Sequence, residues 1–131
     1  CIASKLIKKN GNCKGRVLVL GVTFKENVPD LRNSRVIDLI CTLETKGFLV
    51  EVHDALADSE ETKQALGVSL VPSLDNIGLF DCIIGAVSHS AYTEFTPETF
   101  SSLLVNDGLI ADVKGIWRNL DLPKTYARWV L

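Results

Sequence analysis

Four short, mainly apolar runs recur along this chain, at 16–22, 48–53, 81–87 and 108–112, with loop and helix patterns between them. Apolar runs that lack alternation belong to strands buried on both faces, as in a parallel sheet covered by helices. After the first run, Val36, Ile37, Leu39, Ile40 and Leu43 recur at helical spacing over 35–46. Asn33 or Ser34 stands where a cap is needed, and Gly47 closes the segment. A second, shorter helix starts after Asp58 or Ser59 and ends at Leu66 before Gly67, with Glu60 and Glu61 as ordinary first-turn acids. One helical turn is expected over 73–78. Pro97 suits the first turn of a helix over 96–104, and 126–131 reads as a short last strand. Strands alternating with helices specify βαβ units. The expected fold is α/β, a Rossmann-like three-layer sandwich with a mostly parallel sheet flanked by helices.

Composition narrows the classes. At 131 residues the chain suits one domain. An apolar fraction of 47% excludes whole-chain disorder. Its longest apolar runs, such as 82–87, fall far short of the ~18 residues of a membrane span. A net charge of −2 gives no global reason to expect nucleic acid or an anionic membrane as partner. The four cysteines form no CxxC pair and no zinc spacing with either histidine, so no metal is expected. Cys41 and Cys82 lie in apolar runs and read as buried small hydrophobes, in a reducing, cytoplasmic setting. The chain begins at Cys1 and contains no Met. The expectation is a domain taken from a longer protein, with 1–14 ending a linker or helix from an upstream domain and 15–131 the domain itself.

Parallel sheets bind ligands beyond the carboxyl ends of their strands. That rule selects the loops 21–34, 53–58, 88–95 and 112–119. The first follows a buried strand and opens a helix, where N–H groups and the helix dipole favour an anion. Gly21 stands alone in it, and neither GxGxxG nor GxxxxGK[ST] is present. Side chains would therefore have to hold a phosphate, and Lys25 and Arg32 are available, unless both are simply solvated loop cations. Lys114 lies in the fourth loop, within Asp112-Val113-Lys114-Gly115-Ile116-Trp117-Arg118. It would meet Lys25 if the two strands were neighbours, and two such point charges suit a diphosphate. The alternative is a basic turn with Trp117 packed on the core. His89 could be a general base or a ligand contact, or a cap or packed turn residue. His53-Asp54 occupies the place where a dinucleotide fold holds its ribose acid, without the glycine-rich loop that would support that role.

The stretch GVTFKENVPDLRNSRVIDLICTLETKGFLVEVHDALAD, with its order of Phe-Lys, Pro-Asp, Arg and Ser, resembles the C-terminal domain of the UDP-glucose/GDP-mannose dehydrogenase family. Gly67-Val68 with Leu70, Phe80-Asp81, Ala86-Val87 with His89 and Tyr92, ADVKGIW and the terminal Trp-Val-Leu extend the likeness from about Lys14 to Leu131. The details are most similar to the branch that oxidises UDP-N-acetylhexosamines to uronic acids for bacterial surface polysaccharides. The resemblance implies a UDP-sugar-binding domain of an NAD-dependent 6-dehydrogenase. The catalytic Cys and the main NAD site would lie in N-terminal and central domains outside this chain, and the parent would be a homodimer. No catalytic residue is therefore assigned here. The resemblance places Phe24, Lys25 and Lys114 on the substrate and Arg32 toward NAD across the cleft. Lys114 stands where many relatives have an arginine, so it keeps the charge and loses the bidentate fork. Two rivals come from other classes: a stand-alone nucleotide-binding or regulatory module, and a signalling receiver of flavodoxin-like fold. A receiver needs an acid cluster near the first strand and an Asp ending a central strand. Thr23-Phe24-Lys25 follows the first strand instead.

Overall fold

A computed structural model describes residues 15–23 and 34–130. Strand β1 (Arg16–Leu20) pairs in parallel with β2 (Leu49–His53) on one side and with β3 (Phe80–Gly85) on the other. β4 (Leu104–Asp112) and β5 (Ala127–Val130) extend the sheet in parallel, giving the order β2-β1-β3-β4-β5. The expected parallel α/β sheet is therefore present, and all of its pairings are parallel.

Strand side chains alternate between faces, and the core divides accordingly. Val17, Val19, Cys82, Ile84 and Ala111 point to one face, where helix α1 (Ser34–Thr45) lays Val36, Ile40 and Leu43 against them. Helix α2 (Ser59–Leu66) adds Leu66 at the rim of that cluster. Leu18, Leu20, Ile83 and Ile110 point to the other face. They meet Tyr92 of the short helix α3 (Ser90–Thr93) and Phe100 and Leu103 of α4 (Pro97–Leu103). Helices thus cover both faces, which is the three-layer arrangement. The four residues Val17 to Leu20 are fully buried, as a strand covered on both sides requires.

Local signals account for the helix ends. Asp58 caps α2 by accepting the Glu61 N–H, and Gly67 closes it. Thr96 and Thr99 form a reciprocal cap on α4, with Pro97 in its first turn.

Three local expectations need correction. Segment 73–78 is a turn rather than a helical turn. Ser73 Oγ accepts the Asp75 N–H, and Asn76 takes a φ of 57°, which breaks helical propagation. Cys41 is exposed, not buried, because it follows Ile40 on α1 and is rotated off the inner face. β4 begins at Leu104 rather than at 108. Its pairing with β3 jumps from Phe80↔Leu104 to Cys82↔Leu109, leaving Asn106 and Asp107 exposed at the irregularity. Cys82 is buried as expected, and burial pushes its thiol well above the usual range, so it is no nucleophile.

Candidate functional site

Because every strand runs the same way, the loops after Leu20, His53, Gly85 and Asp112 gather at one edge of the sheet. β1 and β3 are neighbours there although β2 comes between them in the chain, and this switch point is where such sheets open a crevice. β3 ends at Gly85 followed by Ala86, so no acid stands where a receiver would need one.

The chain at this end of the sheet is organised by one buried carboxylate. Asp54, directly after β2, is 7% exposed. Its Oδ2 accepts the N–H groups of Val22 (2.8 Å) and Thr23 (3.2 Å), and its Oδ1 those of Leu56 (2.8 Å) and Ala57 (2.9 Å). His89 Nε2 lies 3.1 Å from the same Oδ2 and 2.9 Å from Thr23 Oγ1. An ionised carboxylate can only accept, so Nε2 carries the proton. Burial alone would raise the Asp54 pKa; the hydrogen bonds from His89, Val22, Leu56 and Ala57 outweigh it and hold the carboxyl well below the usual range. Gly21 turns the chain out of β1 with a φ of 102°, and a Cβ there would lie 2.5 Å from Val87 Cβ.

Tyr92 closes the same region. Its hydroxyl is 2.7 Å from His53 Nδ1 and donates to the His53 carbonyl at 3.1 Å. Burial lowers the His53 pKa, partly offset by the Asp54 charge, and raises that of Tyr92. His89 is therefore a packed residue starting α3, with its side chain turned inward rather than toward a ligand. Asp54 has both oxygens committed to the chain and so does not fit the part of a ribose-binding acid.

The fourth loop is built differently. Asp112 accepts the Ile116 N–H on Oδ1 and the Trp117 N–H on Oδ2, both at 2.8 Å. Trp117 is buried and donates its indole N–H to the Tyr92 carbonyl at 2.8 Å. Its ring stacks on Phe95 and lies over Gly85, where a Cβ would stand 2.7 Å from it. The packing reading of Trp117 is the one observed. Lys114 projects from this pinned turn and is exposed.

Of the residues expected to bind, Lys114 alone is described; Phe24, Lys25 and Arg32 lie outside the described residues. β3 separates β4 from β1, so the condition for a direct Lys25–Lys114 meeting is not satisfied. At about 4.8 Å per strand, the two loops start roughly 10 Å apart. Sequence reading missed the organising role of Asp54 and Asp112. The available signal was an Asp immediately after a strand, with backbone N–H groups a few residues on for it to collect.

Among the described residues no group of three or more His, Cys, Asp or Glu side chains is placed to hold a metal, and no helix is long and apolar enough to cross a membrane. Two surface grooves, one around Leu74–Leu79 and one around Arg16 and Leu49, lie at the opposite, amino-end edge of the sheet.

The chain is 34% identical over 131 residues to protein CapL of Staphylococcus aureus, covering 99% of the chain and 30% of CapL. It is 34% identical over 110 residues to UDP-N-acetyl-D-glucosamine 6-dehydrogenase of Salmonella typhi, covering 83% of the chain and 26% of that enzyme. The chain thus spans less than a third of these relatives. The crystal structure of an NDP-N-acetyl-D-galactosaminuronic acid dehydrogenase from Methanosarcina mazei Go1 superposes with a TM-score of 0.75 at 19% identity, over 97% of this chain and 27% of that one, which speaks for the fold. Residues 18–119 match the UDP binding domain of a single family, spanning both the first and the fourth loop. The chain belongs to the UDP-glucose/GDP-mannose dehydrogenase family and corresponds to its UDP binding domain.

Proposed function

We propose that this domain grips the UDP end of a nucleotide sugar within an NAD-dependent UDP-sugar 6-dehydrogenase. The observation that carries the reading is the match of residues 18–119 to a UDP binding domain, which includes both loops expected to bind. The substrate is a UDP-N-acetylhexosamine or UDP-glucose, oxidised at its primary alcohol to the uronic acid for polysaccharide biosynthesis. The dehydrogenase names of the relatives support this class. Lys25 and Lys114 supply positive charge to the diphosphate, Phe24 contacts the UDP-sugar, and Arg32 reaches toward NAD across a cleft. NAD is held mainly by an N-terminal domain beyond this chain. The commitment of Asp54 to backbone N–H groups supports that division of labour. The catalytic thiol belongs to the same absent portion, and the whole enzyme acts in the cytoplasm as a homodimer.

Within this chain the work is binding and orientation. Lys114 stands on a turn fixed by Asp112 and Trp117, so its charge is presented from a rigid base. Closure of a partner domain over these loops would exclude water from the reacting centre. An NMR titration of isotope-labelled protein with UDP tests the reading. Shifts should cluster on 21–34 and 112–118. Lys25→Ala should weaken binding by about tenfold, the loss of one charge-assisted hydrogen bond, with folding intact. Shifts centred elsewhere, or a Lys25→Ala protein that unfolds, would overturn the site.

A further inference from the structure

We infer that the buried Asp54–His89 pair is a positioning device for the first loop. It fixes Val22 and Thr23, the residues that precede Phe24 and Lys25 in the sequence, and so conditions the grip on a nucleoside diphosphate. The inference rests on the proposed UDP-binding role and deepens it.

β1 ends at Leu20, whose carbonyl accepts from Ala86 and Val87, and Gly21 makes the last cross-strand bond to the His53 carbonyl at 2.8 Å. Beyond that point the ladder gives no further hold. Val22 and Thr23 still sit fully buried, and both of their N–H groups go to Asp54 Oδ2. The Thr23 hydroxyl is met by His89 Nε2, which also holds Asp54. The first loop is thus tied to the loops after β2 and β3 by a carboxylate and an imidazole, both almost fully excluded from water. The side chains of His89 and Asp54 are 1% and 0% exposed.

This arrangement suits positioning better than ligand contact. Asp54 has no oxygen left for a substrate, and its negative charge is stabilised by five converging donors, four backbone N–H groups and His89. An anionic diphosphate near the first loop would therefore not face an unscreened carboxylate. A neutral group in place of Asp54, or a residue at 89 unable to donate, removes that anchoring without removing any side chain expected to touch UDP. Preorganisation of a loop raises affinity by sparing the ligand the ordering cost.

The test compares isotope-labelled wild type, His89→Gln, His89→Leu and Thr23→Val, without UDP and then with it. Gln keeps an N–H donor at similar reach, whereas Leu removes it. In His89→Leu, amide shifts over 22–33 should move and UDP affinity should fall about tenfold, while strand amides over 17–20 and 82–85 stay in place. His89→Gln should recover affinity to within about threefold, a rescue that a purely structural role would not give. Thr23→Val, which keeps the volume and loses the hydroxyl, should fall between them; if His89→Leu does not fold, the comparison of Val and Gln variants decides. UDP bound equally well by all variants, or unmoved 22–33 amides, would overturn the positioning role while leaving the proposed function intact. Moved 22–33 amides with no response of the wild type to UDP would instead sink the proposed function and leave the positioning role standing.

Discussion

Asp54 and Asp112 occupy equivalent places, each at the carboxyl end of a strand, each buried, each using both oxygens to collect backbone N–H groups. Their partners differ. Asp112 takes the N–H groups of Ile116 and Trp117, both in its own loop, and so closes a turn on itself. Asp54 takes Leu56 and Ala57 from its own loop, Val22 and Thr23 from the loop after β1, and His89 from the loop after β3. One carboxylate finishes a local structure; the other joins three loops. The same side chain at the same position in a βαβ unit thus does local or long-range work according to which N–H groups the neighbouring strands bring within reach.

That contrast predicts a ranking. Asp54→Ala strands four N–H groups and removes the carboxylate partner of the buried His89, and should cost about 3–5 kcal/mol in chemical denaturation. Asp112→Ala strands two N–H groups and loosens Trp117, and should cost about 1–3 kcal/mol by the same measurement. An equal or reversed ranking would show that the long-range ties of Asp54 add nothing. The smallest effect is expected from pH. His53 has a pKa lowered by burial from its usual 6.5, so its neutral form is the one the fold favours. Stability should therefore be complete above pH 6.5 and decline gently as pH falls below it, read as Tm against pH. Asp54, held below its usual 3.8, keeps its contribution until the pH drops below that value. His53→Gln should flatten the first decline and leave the second, whereas a profile unchanged by that substitution would remove His53 from the account.

The inner strands were legible because they are buried on both faces. Runs such as Val17-Leu18-Val19-Leu20 need no partner to announce themselves, and Asp58, Gly67, Thr96 and Pro97 mark helix ends through contacts within a few residues. The family was legible in the ordered Phe-Lys, Pro-Asp, Arg and Ser of the first loop, and the match over 18–119 bears it out. What escaped was set by contacts between distant residues. The ties from Asp54 run to Val22, Thr23 and His89, none of them close in sequence, and the adjacency of strands depends on the crossover path. Cys41 was misplaced for a simpler reason. An apolar run within a helix does not bury every member, and rotation by one residue puts a side chain onto the outer face.

The all-parallel sheet also governs how the chain finds its structure. Parallel neighbours require a crossover between them, so this sheet contains no hairpin that could form early from adjacent residues. β1 is buried from Val17 to Leu20 and is the first of the described strands to be synthesised, yet Val17 must wait for Val50 on one side and for Cys82 on the other. The entropy of those long closures is spent before the pairing rewards it, which slows folding relative to a helical protein of this length. On the ribosome, one hydrogen-bonding edge of β1 remains open until β3 has emerged, and that interval is when the nascent chain is most exposed to aggregation and most in need of a chaperone.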